Sequence, residues 1–227
     1  MTSSDYRRIA REKLAGNWGI AILATLVAGI LGAAIATSGF SFNVNIDAEL
    51  IREFPEYIQR ILISYLSFAA TVGGILGLIQ FILGGVVRLG YCQYLLNLHD
   101  GKPSDIKDLF SQFHRFGDGF CLALLQGIFI ALWSLLFVIP GIVASYRYAM
   151  APFVMLENPD MTASEAIEAS KQMMNGHKGE LFCLDLSFIG WSLLNIFTLG
   201  IGSLWLNPYM NMSWAAFFRS FRKEPVE

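Results

Sequence analysis

Long apolar runs separated by short polar segments dominate the chain. Four intervals contain no Asp, Glu, Lys or Arg, namely residues 14–46, 61–87, 119–146 and 186–218. A helix of about 20 mostly apolar residues is long enough to cross some 30 Å of hydrocarbon. Each interval reaches that length, so one interpretation of the pattern is a bundle of four membrane spans.

The last two intervals are too long for single spans. Apart from Arg147, the third interval stays free of charge as far as residue 156, and one helix over residues 119–156 would measure about 57 Å. Pro140 and Gly141 lie in its middle, where proline removes a helix hydrogen bond and glycine permits a reversal. The fourth interval holds Gly200, Gly202, Asn207 and Pro208. These interruptions favour a second interpretation, in which six helices form three hairpins.

Three polar segments ahead of the apolar runs have the pattern of amphipathic helices. Apolar or small side chains recur in each segment at the spacing that places them on one helix face. The positions are Tyr6, Ile9, Ala10 and Leu14; Ile106, Leu109, Phe110, Phe113 and Phe116; and Ala163, Ala166, Ile167, Ser170, Met173 and Met174. Ser104 is placed to cap the second helix, and Thr162 with Glu165 predicts a capping box on the third. The glycines expected to end the helices are Gly16, Gly117 and Gly176.

The amphipathic segments indicate an internal repeat. Residues 85–103 and 141–159 also resemble each other, which gives repeat units at about residues 4–98, 104–157 and 162–219 of a single membrane domain. If the repeat is real, every amphipathic helix lies on the same face of the membrane. The segment between the first two apolar runs, about residues 39–60, is then external.

The distribution of basic residues favours six spans over four. Lys and Arg are enriched in cytoplasmic loops. Six spans leave only Arg52 and Arg60 outside, whereas four spans also place Arg147, Lys171 and Lys178 there. Both arrangements put the two termini in the cytoplasm.

Composition agrees with a membrane location. Apolar side chains make up 55% of the chain and charged ones 15%, and the mean hydropathy is +0.51. In soluble domains, roughly a quarter of all residues are charged. The net charge of −2 gives no basic field of the kind that nucleic-acid binding needs. We therefore expect an all-α, multi-pass membrane protein that does not bind nucleic acid.

Polar groups inside the apolar runs are the candidate functional residues. Arg147 and Asp185 are the ionisable ones, and a charge at depth costs at least about 2.5 kcal/mol unless it is paired or meets water. We hypothesise an ion pair between them if their helices touch; the alternative keeps Asp185 at headgroup level. The amides of Gln80, Gln126 and Asn195 either line a polar path or bond between helices.

Several motifs carry a resemblance to a known family. They are Pro140-Gly-Ile-Val-Ala-Ser-Tyr-Arg-Tyr-Ala-Met-Ala-Pro152, Glu157-Asn-Pro-Asp160, Leu181-Phe-Cys-Leu-Asp-Leu-Ser-Phe-Ile-Gly-Trp191 and Asn207-Pro-Tyr209. With them the chain resembles a bacterial integral membrane family known as domain-of-unknown-function family 975. More distantly, it is similar to the membrane domain attached to some glycerophosphodiester phosphodiesterases. The resemblance implies a protein of the bacterial cytoplasmic membrane and carries over no catalytic residue.

These observations lead to an expected function without an enzymatic site. No catalytic set, metal site or cofactor motif is predicted. We expect a non-enzymatic protein that organises or assists an envelope or export process through helix and lipid contacts. Its expected partners are membrane lipids, further copies of itself or other membrane proteins. The alternative is a small transporter or channel-like module with a polar path near Arg147 and Asp185.

Overall fold

The described part of the chain is entirely helical. The computed structural model describes residues 2–33, 55–198 and 200–221, and no strand occurs in these ranges. The ten α-helices are α1 (Ser3–Leu14), α2 (Trp18–Ile30), α3 (Glu56–His99), α4 (Phe116–Leu136), α5 (Val138–Tyr148), α6 (Ala151–Glu157), α7 (Ala163–Met173), α8 (Lys178–Leu186), α9 (Ile189–Phe197) and α10 (Ser203–Ser220). The predicted all-α class is confirmed. Most of the predicted external segment, residues 39–60, lies outside the described residues.

Several helices are suited to a membrane. Three stretches of the described chain are long and apolar enough to cross one, namely Gly73–His99, Ile106–Leu136 and Val138–Glu157. Helices α1 and α2 give a fourth span if this pair, bent by 105°, is counted as one. Three or four such stretches agree with the membrane location that composition predicts. The arrangement with six spans stays a prediction.

Helix α3 is longer than any bilayer crossing requires. Its 44 residues correspond to about 66 Å, roughly twice the thickness of the hydrocarbon. The two ends of α3 differ in burial. Ile63, Ile75 and Leu78 are exposed, as are most described side chains ahead of Leu83, whereas Tyr91 and Tyr94 near the end are fully buried. The last part of α3, from Gly84 onward, therefore belongs to the packed bundle, and the part ahead of it is mostly exposed.

The chain reverses direction at Phe137, between α4 and α5. Phe137 has extended backbone, with φ −160° and ψ 152°. Helix α5 then runs back along α4, where the Gln126 amide donates to the Tyr148 carbonyl oxygen at 2.7 Å. A Cβ atom at Gly141 would lie 2.1 Å from Ser134 Oγ, so the close approach of the two helices requires glycine. The reversal thus falls just ahead of the predicted proline–glycine turn.

Helices α1 and α7 begin and end alike. In each, the backbone amide of an N-cap threonine donates to the carboxylate three residues later, and a glycine with positive φ follows fourteen residues after the cap. These residues are Thr2, Asp5 and Gly16 (φ 83°) in α1, and Thr162, Glu165 and Gly176 (φ 86°) in α7. The bonds from the threonines hold the pKa of both carboxyl groups below the usual value. The predicted capping box and both predicted glycine ends are confirmed, and the repeat stays a prediction.

The second predicted amphipathic helix is wrong in detail. Two short 3-10 helices, Ile106–Phe110 and Phe113–Arg115, occupy this segment where a continuous α-helix is expected from the sequence. Asp105 rather than Ser104 is the N-cap, and its carboxylate accepts from the backbone amide of the next residue at 2.7 Å. Gly117 lies inside α4 and does not end a helix.

A tertiary contact explains this difference. The backbone of Leu109 packs directly on Gly90 in α3, since a Cβ atom at Gly90 would lie 2.0 Å from the Leu109 carbonyl oxygen. Asn97 of α3 also donates from Nδ2 to Asp108 Oδ2 at 3.1 Å. These contacts hold the segment close against α3, and helical periodicity alone does not predict them.

The core lies where α1, α2, the end of α3 and α10 meet. Small side chains on one face of α2, at Ala21, Ala24 and Ala28, allow close packing. Elsewhere, large apolar side chains such as Leu135 and Phe197 lie on the surface, each 86% exposed. Apolar surfaces of this kind are favourable in contact with the hydrocarbon of a bilayer and unfavourable in water.

Candidate functional site

A cavity of about 580 Å³ lies between the α1–α2 bend and the α9–α10 pair. Three tryptophans, Trp18, Trp191 and Trp205, contribute to its lining. Asn195, one of the predicted polar residues, and Tyr209 also line it. Its walls are thus mainly apolar and aromatic, which is the usual character of a ligand cavity.

Two glycine turns shape this cavity. Gly16, in the left-handed region, lets the chain bend between α1 and α2 and so brings Trp18 to the wall. Gly200, with φ 87°, allows α10 to follow α9 through a short turn. A Cβ atom at Gly202 would lie 2.9 Å from Asn195 Oδ1. Because glycine has no side chain, the Asn195 amide can pack against this position.

Helix α1 provides the positive charge at the edge of the cavity. Arg11 lines it, and Arg7 lies one helical turn earlier on the same side of α1. Arg7 Nη1 donates to the Ser187 carbonyl oxygen at 3.2 Å, and its guanidinium carbon lies 5.9 Å from the centre of the Phe188 ring. Arg7 Nε is buried without a hydrogen-bond partner among the described residues. Neither arginine has a carboxylate within 4.0 Å in the part of the chain described.

The three predicted amides all take part in hydrogen bonds, and two of them connect helices. Gln126 is buried between α4 and α5. Gln80 is exposed and donates to the Ile30 carbonyl oxygen at 2.9 Å, which joins α3 to the end of α2. Asn195 is buried and its carbonyl oxygens accept from Thr198 Oγ1. Gln126 and Gln80 therefore form bonds of the kind that hold membrane helices together, whereas Asn195 bonds within the turn that follows α9.

Asp185 has two neutral hydrogen-bond donors. Its carboxylate accepts from the Tyr146 hydroxyl and from Trp214 Nε1, each at 2.8 Å. Arg147 instead lies beside α7, where its carbonyl oxygen accepts from Ser170 at 3.0 Å. No contact between Arg147 and Asp185 is found among the described residues. The ion pair hypothesised from the sequence is replaced by bonds that fix α8 against α5 and α10.

Glu168 on α7 lies near the Arg147 side chain. The pKa of Glu168 is lowered mainly by a hydrogen bond from Lys171, and the charges of Lys171 and Arg147 act in the same direction. Arg147 thus lies on the side of α7 that carries Glu168. The candidate residues occupy separate local contacts in the described chain, so the structure offers no observation in favour of one continuous polar path.

Comparison with known proteins assigns the family. Residues 1–144 and 135–225 match the family described as a protein of unknown function, DUF975. The chain belongs to the DUF975 family. No curated protein and no solved structure matches the chain. The resemblance seen in the sequence motifs is thereby confirmed for DUF975, while the similarity to the phosphodiesterase membrane domain stays a prediction.

The sequence analysis missed a cation inside this DUF975 bundle. Arg88 is half-buried on α3, and its Nη1 donates to Gln126 Oε1 at 3.2 Å. Its Nε is buried with no partner among the described residues. Arg88 precedes the end of α3 at His99 by eleven residues, or about 17 Å. The apolar sequence after Arg88 is the signal that could have placed it at this depth.

Proposed function

We propose that this DUF975 protein is a six-span protein of the bacterial cytoplasmic membrane with both termini in the cytoplasm. Its role is non-enzymatic: it organises or assists an envelope or export process through helix and lipid contacts. The spans form the hairpins α2 with α3, α4 with α5 and α6, and α8 and α9 with α10. The polar segments α1, residues 106–115 and α7 lie on the cytoplasmic face ahead of these hairpins.

One cluster of charges carries the topological argument. Arg219, near the end of α10, donates to Asp100 Oδ2 at 2.6 Å and to Glu157 Oε1. Asp100 directly follows α3, and Glu157 ends α6. Three helix ends therefore meet on one side of the molecule. A single third span would place Glu157 on the membrane face opposite to Asp100, so this contact supports six spans over four.

The polar groups support a role in contacts between helices over a role in catalysis. The described lining of the cavity contains no Asp, Glu, His or Cys side chain that could transfer a proton or attack a substrate. Gln126 and Asp185 connect helices through hydrogen bonds at 2.7 and 2.8 Å. Large apolar side chains cover much of the outer surface, where lipids or other membrane proteins would contact them.

Cysteine labelling tests the proposed topology. Single cysteines at Glu168 and Glu56 are introduced after replacement of Cys92, Cys121 and Cys183. Glu168 and Glu56 have exposed side chains, which gives a membrane-impermeant maleimide access to both probes. We expect Glu168→Cys to react only when the cytoplasmic face is accessible and Glu56→Cys to react in intact cells. Reaction of Glu168→Cys in intact cells would instead support four spans.

Flux through reconstituted vesicles tests the non-transport role. Purified protein is placed in liposomes loaded with salt and a small fluorescent solute, and release is compared with that from empty liposomes. We expect no added flux, because the candidate polar residues are engaged in separate contacts. Flux that depends on the protein and changes in Asp185→Asn would overturn the proposed role and support the transporter alternative.

A further inference from the structure

We propose that the cavity beside α1 binds one anionic phospholipid of the surrounding membrane. An acyl chain occupies the apolar part of the cavity, and the phosphate contacts Arg7 and Arg11 on α1. This inference deepens the proposed function by naming the lipid class and its site, and it rests on the proposed insertion of the bundle into a membrane.

The walls of the cavity favour an apolar chain. Trp18, Trp191 and Trp205 provide large rigid apolar surfaces, and the polar lining groups Asn195 and Thr198 are bonded to each other. A volume of about 580 Å³ lies within the range that holds a ligand of moderate size. A polar occupant would leave its own hydrogen-bonding groups unsatisfied against these walls, whereas a hydrocarbon chain would not.

The charges at the edge of the cavity favour an anionic headgroup. Arg7 and Arg11 lie four residues apart on α1, and two like charges at this spacing repel each other. Tyr209 lines the cavity together with Arg11. A phosphate at the edge of the cavity would reduce the repulsion and would accept charge-assisted hydrogen bonds from the exposed Arg11 guanidinium.

The location of α1 fits a lipid of the inner leaflet. Tyr6 of α1 contacts Ser220 and Phe217 at the end of α10, which the proposed topology places at the cytoplasmic face. Anionic headgroups of that leaflet attract basic interfacial segments. Trp18 begins the helix that follows α1, and tryptophan is favoured at the same level because its ring is apolar and its N–H is polar. In the proposed topology, the headgroup would therefore lie at the level of Arg11 in the membrane, and the acyl chain would begin at the level of Trp18.

Native mass spectrometry of the full-length protein in nonionic detergent tests the site. The probes are phosphatidylglycerol and phosphatidylcholine with the same acyl chains. We expect one phosphatidylglycerol to be retained in preference to phosphatidylcholine, and Arg11→Gln to weaken its affinity about tenfold. Arg8→Gln is the matched control, because Arg8 lies on the same helix but is exposed and paired with Asp5 and Glu12.

Two further measurements separate the cavity from general electrostatic attraction. Leu194→Trp adds bulk to a lining position, so we expect it to weaken the binding of both lipids. A chain-free phosphate, glycerol phosphate, should not displace the bound lipid. An equal loss of phosphatidylglycerol affinity in Arg8→Gln and Arg11→Gln would overturn the proposal. Unchanged lipid binding in Leu194→Trp would also overturn it. Displacement of the lipid by glycerol phosphate would show that the site binds a soluble anion instead.

The cysteine-labelling pattern keeps this test independent of the proposed function. A protein that labels as a six-span protein but binds no lipid in the cavity would refute the lipid site alone. Labelling of Glu168→Cys from outside the cell would refute the topology itself. Each variant is also compared with the wild type for its melting temperature in detergent, so that loss of lipid is not confused with loss of structure.

Discussion

Replacement of Gly90 by alanine is expected to destabilise the protein by about 3 kcal/mol, because the added methyl group meets backbone and not a flexible side chain. The new Cβ atom would lie 2.0 Å from the Leu109 carbonyl oxygen and 2.5 Å from its carbon. Neither atom can move without displacing the 3-10 segment from α3. The effect is measured as a decrease in the unfolding midpoint in detergent, and in membrane-inserted yield in cells.

Gly77→Ala is the control for this substitution. Gly77 lies in the same helix, and no atom lies within 4 Å of the position that its Cβ would occupy. Alanine has the higher helix propensity, so no loss of stability is expected there. Equal stability of the Gly90→Ala and Gly77→Ala proteins would show that the contact between α3 and the 3-10 segment does not hold the fold.

Arg219→Gln is expected to lower the free energy of unfolding by about 3 kcal/mol, because it removes the cation that two carboxylates at partly buried helix ends share. The Arg219 side chain is 12% exposed, and those of Glu157 and Asp100 are 20% and 27% exposed. Solvent therefore screens this cluster only in part. Denaturant or thermal unfolding in detergent measures the loss, and increased proteolysis near residues 100 and 157 should accompany it.

Charge removal at the partners provides the test of mechanism. Adding Asp100→Asn and Glu157→Gln to Arg219→Gln should recover part of the lost stability, since the two side chains that Arg219 joins are then neutral and no longer repel each other. Arg8→Gln, whose partners are exposed and 3.9 to 4.0 Å away, should have little effect. A triple variant no more stable than Arg219→Gln would mean that packing of the arginine side chain, and not its charge, is what matters.

The helix ends were predicted correctly where residues close in sequence determine them. The capping box at Thr162 and the positive-φ glycines Gly16 and Gly176 need only residues close in sequence. The 3-10 segment could not be predicted in this way, because its conformation depends on Gly90, which lies almost twenty residues earlier. Periodicity indicates which face is apolar, but not how close a neighbouring helix approaches.

The candidate site was predictable only in fragments. Asn195 was predicted as a polar group within an apolar helix, but its cavity also needs α1 and α2, which are remote in sequence. Arg7 and Arg11 resemble ordinary cytoplasmic cations in the sequence, since nothing local shows that Arg11 lines a cavity and that Arg7 is half-buried. Asp185 was found, but its partners Tyr146 and Trp214 come from two distant helices.

The length of α3 has a mechanical consequence. The Gln80 amide of this unbroken helix bonds to the Ile30 carbonyl oxygen, and Gly84, Gly85 and Gly90 then approach the backbone of neighbouring segments, whereas twenty-four residues precede Gln80. A continuous helix is stiff, so a small tilt of its packed part moves the end at Glu56 much farther than the end at His99. A small displacement of the charge cluster at Asp100 would thus produce a much larger displacement of the opposite end of α3, at Glu56.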